Sequence, residues 1–248
     1  MAALARLRRA AVLTDVTLHA RAECAGGAEG TEGTGGAEGT EGAEGTGGAA
    51  ADGPGLPAHR AVLAAASPYF HAMFTQFDES TQPSVTIQNV EPQALEAIIE
   101  YIYCPDSLVV TEDNVQSLLA GASLLQVGGV RGAACAFLAA ALCADNALGI
   151  RAFADLHACA DLRHAAARYV EDHFVDVLQS DEFLALAPDT LAALLASDRV
   201  AVPGEEVVLD AAVRWVQHVA VRGGGRHGPA QAQSARVPAA NGTRRRYY

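Results

Sequence analysis

Lysine is missing from all 248 residues; the 17 basic side chains are all arginine. No side-chain amine is therefore open to modification, and the glycine-rich stretch lacks the Lys-Ser/Thr pair that a phosphate-cradling loop requires. Long apolar runs are absent too: none approaches the roughly 20 residues that span a bilayer. Positive charge is in deficit, with a formal net charge of -12, which argues against nucleic acid and acidic membranes as partners. The five cysteines, Cys24, Cys104, Cys135, Cys143 and Cys159, are an odd, scattered set without a CxxC pair. That pattern argues against a disulfide framework and favours a reducing compartment.

Half of the chain is apolar, enough for a sizeable core in one or two domains. Charge is unevenly placed. Seven acids and no base lie between Glu23 and Asp52, whereas five arginines and no acid follow Gly223. Both extremes fall in segments that read as unfolded. Residues 25–55 repeat GGAEGTEG and cannot bury enough apolar surface to offset ordering entropy, so they read as a flexible insert. The insert interrupts an apparent hairpin: Val16-Thr17-Leu18 precedes it and Leu56 to Leu63 resumes order after it. The opening MAALARLRRAAVL weakly imitates a mitochondrial presequence, but it runs straight into that strand, which favours a first amphipathic helix.

Ser67-Pro68 is an N-cap with proline at the first helical position, and Tyr69, Met73 and Phe74 follow at helical spacing. Val85-Thr86-Ile87 alternates as a strand. Pro92 opens a helix with Leu95, Ile98, Ile99 and Ile102 on one face. Thr111 is placed to cap a helix carrying Val115, Leu118, Leu119, Ala122 and Leu125 inward, and Asp145 one carrying Leu148 and Phe153. Further helices are marked by Leu162, Ala166, Tyr169 and Val170, by Leu191, Leu194 and Leu195, and by Val208, Ala212, Trp215 and Val216. The reading is α+β: a mixed domain over 1–142, a helical array over 143–222 and a disordered tail over 223–248.

Catalytic, metal and cofactor sites are not expected. His157 and Cys159 sit two apart on what reads as a helix, pointing about 200° from each other. No GxSxG elbow is present, and most cysteines lie in apolar helical contexts that raise a thiol pKa. Cys104, in the turn Tyr103 to Asp106, is either a bystander or an exposed redox sensor.

Specific strings carry a family resemblance. Thr14 to Leu18, then Pro57 to Thr75, resemble the BTB (POZ) domain of kelch-like proteins, as do Asn114 to Leu119 and Ala122 to Gln126. Leu148 to Cys159, His173-Phe174, Glu182 to Leu184 and Val202 to Val216 are similar to the BACK domain that follows it. The resemblance implies a small sheet with helices, then an all-helical BACK domain, incomplete here. It implies a homodimer, with Leu4, Leu7 and Val12 supplying the apolar interface. It also implies a cullin-3 ubiquitin-ligase adaptor, in which Phe77-Asp78-Glu79 matches a hydrophobic-x-Glu docking motif following the Met73-Phe74 helix. Phe77 anchors in an apolar groove and Glu79 orients the loop; a plain solvated loop is the alternative. Asp15 and Arg60 resemble a buried structural charged pair.

Departures from the pattern are the insert, alanine at 134 and 147 where cysteine is usual, Gly204 in place of a serine cap, and Gly128-Gly129, which loosens a helix junction. No kelch repeat with paired glycines and a later tryptophan appears, so the substrate-binding propeller is read as missing. The alternative function is an actin-crosslinking cytoskeletal protein whose BTB domain serves only dimerisation. A transcriptional regulator is disfavoured because no zinc finger or basic DNA-reading element follows. The expected location is cytoplasmic or cytoskeletal.

Overall fold

The computed structural model describes residues 2–22, 55–77, 81–196, 204–223 and 245–246. The glycine-rich insert except Gly55, and the tail except Gly223 and the short strand Arg245–Arg246, lie outside the described residues. Contacts divide the chain into two units, one on Met1–Val109 with Ala120–Arg131, the other on Val110–Leu119 with Gly132–Arg245.

In the first unit, helix α1 (Ala2–Arg9) precedes strands β1 (Val16–Arg21) and β2 (Leu56–Ala58), which pair antiparallel with Val16 opposite Ala58. The hairpin expected around the insert is therefore formed. Strand β3 (Ser84–Gln88) joins the other edge of β1 in parallel, giving the order β2-β1-β3. Side chains alternate across a strand, so Val16, Leu18, Ala20, Val85 and Ile87 all point to one covered face. Helices α2 (Arg60–Ala66), α3 (Pro68–Gln76) and α4 (Pro92–Tyr103) complete the unit's core with Leu63, Phe70, Leu95, Ile98, Ile99, Ile102 and Tyr103. Each such burial contributes about 1.5–3 kcal/mol. A short 3-10 helix (Pro105–Ser107) and strand β4 (Val109–Val110) follow.

Helix α5 (Val115–Leu124) begins at a turn closed by Asn114, whose amide oxygen accepts the Thr111 N–H at 2.8 Å. Thr111 supplies its carbonyl to Val115 N–H rather than acting as the side-chain cap the sequence suggested. Helix α6 is Gly128–Ala140.

The second unit continues with α7 (Ala147–Leu156), α8 (Ala160–Asp172), the short α9 (Phe174–Val177) and α10 (Asp181–Leu184), α11 (Pro188–Leu195) and α12 (Glu205–Gly223). Its core holds Leu148, Val170, Phe174, Leu178, Phe183, Leu191, Leu194 and Ala211. Two expectations are corrected here. Asn146, not Asp145, occupies the N-cap position of α7, and its side chain makes no cap bond to the helix: its amide accepts the Cys143 N–H and donates to the Ala141 carbonyl, each at 2.8 Å. His157 and Cys159 end one helix and start the next instead of sharing a helix, the chain turning through Ala158 at φ 53°. Helix α12 forms where expected, with Val208 and Trp215 packed against this core beside Ala211, while Val216 is 58% exposed. The rotation is set by Trp215, whose indole N–H donates to the Leu186 carbonyl at 3.1 Å.

Candidate partner-docking site on the first unit

Helix α3 exists because Ser67 accepts the Phe70 N–H at 3.2 Å and Pro68 supplies a preset φ at the first position. Ser67 is itself buried, and its hydroxyl donates to the Leu125 carbonyl, anchoring the start of the helix. Along α3 the aromatic positions diverge. Phe70 is fully buried, stacked on Phe74 at a centroid distance of 5.9 Å, and Tyr69 meets it edge-on at 5.7 Å. Met73 and Phe74 are half-buried. Phe77, the extended residue that terminates the helix, is 60% exposed. Asp78 and Glu79 lie outside the described residues, so the expected motif is placed only through Phe77, Phe74 and Met73.

Arg60 reaches this region from the start of α2. Its guanidinium lies over the Phe74 ring at 5.6 Å and donates to the Gln82 carbonyl, touching chain on both sides of residues 78–80. Its Nε–H is buried without an acceptor among the described residues. Asp15 and Arg60 do meet, but not as a buried ion pair. Asp15 is exposed, and its carboxylate accepts the Arg60 backbone N–H at 2.8 Å. The reason is local: the first N–H groups of α2 need acceptors and an anion there is favourable, so the carboxylate serves the helix start and frees the guanidinium to reach elsewhere.

Of the residues expected at a dimer interface, Leu4 and Leu7 are half-buried on α1 and Val12 is 45% exposed. The same helix carries a polar cluster that the sequence reading passed over. Arg8, buried, and Arg9, exposed, both pair with Glu100 of α4. Arg8 also lies over the Tyr103 ring at 5.3 Å, and the Tyr103 hydroxyl accepts the His59 backbone N–H at 2.9 Å. Burial pushes the Glu100 carboxyl up, but the two guanidiniums outweigh it and hold it below the ordinary carboxylate value. Burial raises the Tyr103 phenol. The available signal was the spacing of Ala5 and Arg8, which puts the arginine on the inward face of α1.

Among the described residues no group of three histidine, cysteine or carboxylate side chains is placed to hold a metal, and no helix is long and apolar enough to cross a membrane. Cys104 is half-buried at the end of α4.

Comparison with known proteins resolves what this arrangement belongs to. Residues 49–142 match the BTB/POZ domain and residues 147–223 match BACK, the BTB And C-terminal Kelch domain. The chain belongs to the kelch-like BTB-BACK family. It is 51% identical over 162 residues to Kelch-like protein 17 of Homo sapiens, covering 65% of this chain and 25% of that protein. Identity is 48% over 164 residues with Kelch-like protein 2 of Rattus norvegicus and 47% over 164 residues with Kelch-like protein 3 of Bos taurus, each over 66% of this chain and 28% of the relative. The chain thus spans about a quarter of the length of these curated relatives. Its own sequence contains no kelch repeats.

Proposed function

We propose that this chain is a dimeric, non-catalytic adaptor of a cullin-3 ubiquitin ligase, acting in the cytoplasm. The supporting observation is the exposure of Phe77. A helix that stacks Phe70 and Phe74 against its own unit presents the next aromatic, 60% exposed, at its end. Exposed aromatics in this position favour insertion into a partner's apolar pocket, where a single ring supplies much of the binding energy. Asp78 and Glu79 follow it, and the Glu79 carboxylate would orient the docked loop by hydrogen bonding. Self-association would use the apolar residues Leu4, Leu7 and Val12 near the N-terminus. The BACK helices would lengthen the cullin contact.

The test is capture of the cullin-3 N-terminal domain by the full chain, with mass by light scattering recorded on the same sample. Wild type should run as a dimer and bind at micromolar concentration. Phe77→Ala/Glu79→Ala should remain a folded dimer and lose about tenfold or more in affinity, the loss of one buried aromatic anchor. Failure of folded, dimeric wild type to bind would end the adaptor reading.

A further inference from the structure

We propose that Arg60 is a positioning residue for the cullin-docking segment, a role that rests on the adaptor reading above but is read out independently of it. Three observations meet at this side chain. The guanidinium lies over the ring of Phe74, three residues before Phe77, at 5.6 Å. It donates to the Gln82 carbonyl, five residues after Phe77. The Arg60 backbone N–H is fixed separately, on Asp15 Oδ1 at 2.8 Å, so the side chain projects from a point already tied to the hairpin. One planar cation thus clamps both flanks of the exposed aromatic.

The chemistry is specific to arginine. A guanidinium can place its face on an aromatic ring while its edge donates in-plane to a carbonyl. A lysine ammonium has the charge but no plane, so it satisfies one flank at the expense of the other. The contacts of Arg60 are to Phe74, Gln82 and Asp15, on either side of Phe77 and not to its ring. Its effect is to restrict the geometry from which Phe77 docks, lowering the ordering cost of binding. The expected pair with Asp15 would have held the guanidinium away from this segment; the backbone contact leaves it available.

The experiment compares full-length wild type, Arg60→Lys, Asp15→Asn and Phe77→Ala by amide hydrogen exchange over residues 74–84 and by affinity for the cullin-3 N-terminal domain. Arg60→Lys is expected to speed exchange on both flanks of Phe77, leave the thermal midpoint close to wild type, and weaken binding about tenfold through lost preorganisation. Combining Arg60→Lys with Phe77→Ala should add little beyond Phe77→Ala, because a loosened mount matters only while the anchor is present. Asp15→Asn keeps an acceptor for the Arg60 N–H and should leave exchange at 74–84 unchanged. Unaltered exchange in Arg60→Lys overturns the proposal whatever the affinity shows. Faster exchange without any cullin binding by wild type would keep the clamp and sink the adaptor reading instead.

Discussion

Arg8 shows how a single side chain reorganises the reading of the first helix. With only 8% of its side chain exposed, it is held by Glu100 and the Tyr103 ring, and its Nε–H has no acceptor among the described residues. Arg8→Met would leave Glu100 paired only with the exposed Arg9. The expected loss is about 2 kcal/mol of unfolding free energy, read from the urea midpoint, since removing one partner strands the other's charge. The two shifted carboxylates predict opposite pH behaviour. Glu100 is depressed, so its contribution is present above the ordinary value of 4.5 and is lost as pH falls through its lower value in the fold. Glu182 is raised: burial outweighs the backbone N–H groups of Gly149 and Leu148 that it accepts. Its contribution is full in acid, below 4.5, and is lost as pH rises through its higher value in the fold. Glu182→Gln keeps an acceptor without the charge. Its urea midpoint relative to wild type should therefore be more favourable at pH 7 than at pH 4, and an equal difference at both would refute the desolvation account.

Among the elements, the paired glycines at the start of α6 carry a structural reason that composition obscured. Gly128-Gly129 read as a loosened junction, yet a Cβ at 129 would collide with the Tyr101 hydroxyl and ring carbon, whereas none is opposed at 128. The glycine admits a rigid aromatic from α4 rather than loosening the helix. Gly129→Ala is expected to cost about 1–3 kcal/mol by overpacking, and Tyr101→Phe in the same chain to recover part of it. A thermal denaturation cycle over the four proteins measures both; full cost retained in the double variant would place the clash elsewhere. Periodic elements were legible without coordinates: the spacing of Leu95, Ile98, Ile99 and Ile102 placed α4, and Ser67-Pro68 placed the start of α3. Cap residues were less so. Asp145 and Asn146 are both good cap formers by type, yet Asn146 takes the N-cap position while spending its amide on the Ala141 carbonyl and the Cys143 N–H, so residue type did not show how the helix starts.

For the whole molecule, the absence of lysine has a consequence if the adaptor function holds. An adaptor is the protein held nearest to its ligase, at high effective concentration, and is exposed to transfer onto its own amines. This chain offers no ε-amine. In a reaction reconstituted with activating enzyme, conjugating enzyme, neddylated cullin-3 ligase and ubiquitin, wild type should gain no hydroxylamine-resistant side-chain conjugate. Arg168→Lys, at an exposed position of α8, should gain one. Mass spectrometry of the modified peptide checks the site, and an unmodified Arg168→Lys chain that binds cullin-3 would argue that the second unit lies out of reach of transfer.

The residue order alone determined the family and most helix positions, because hydrophobic period and turn chemistry are local properties written in neighbouring residues. It also singled out Phe77 by motif. What only the tertiary structure decided was where the charges go: Arg60 onto Phe74 and Gln82 instead of Asp15, Arg8 onto Glu100 across 92 positions of chain, and Glu182 onto the first N–H groups of α7. Long flexible cations and carboxylates have many acceptors within reach at similar energy. Their partners are selected by which backbone and ring surfaces packing leaves unsatisfied, and that selection has no period in the sequence.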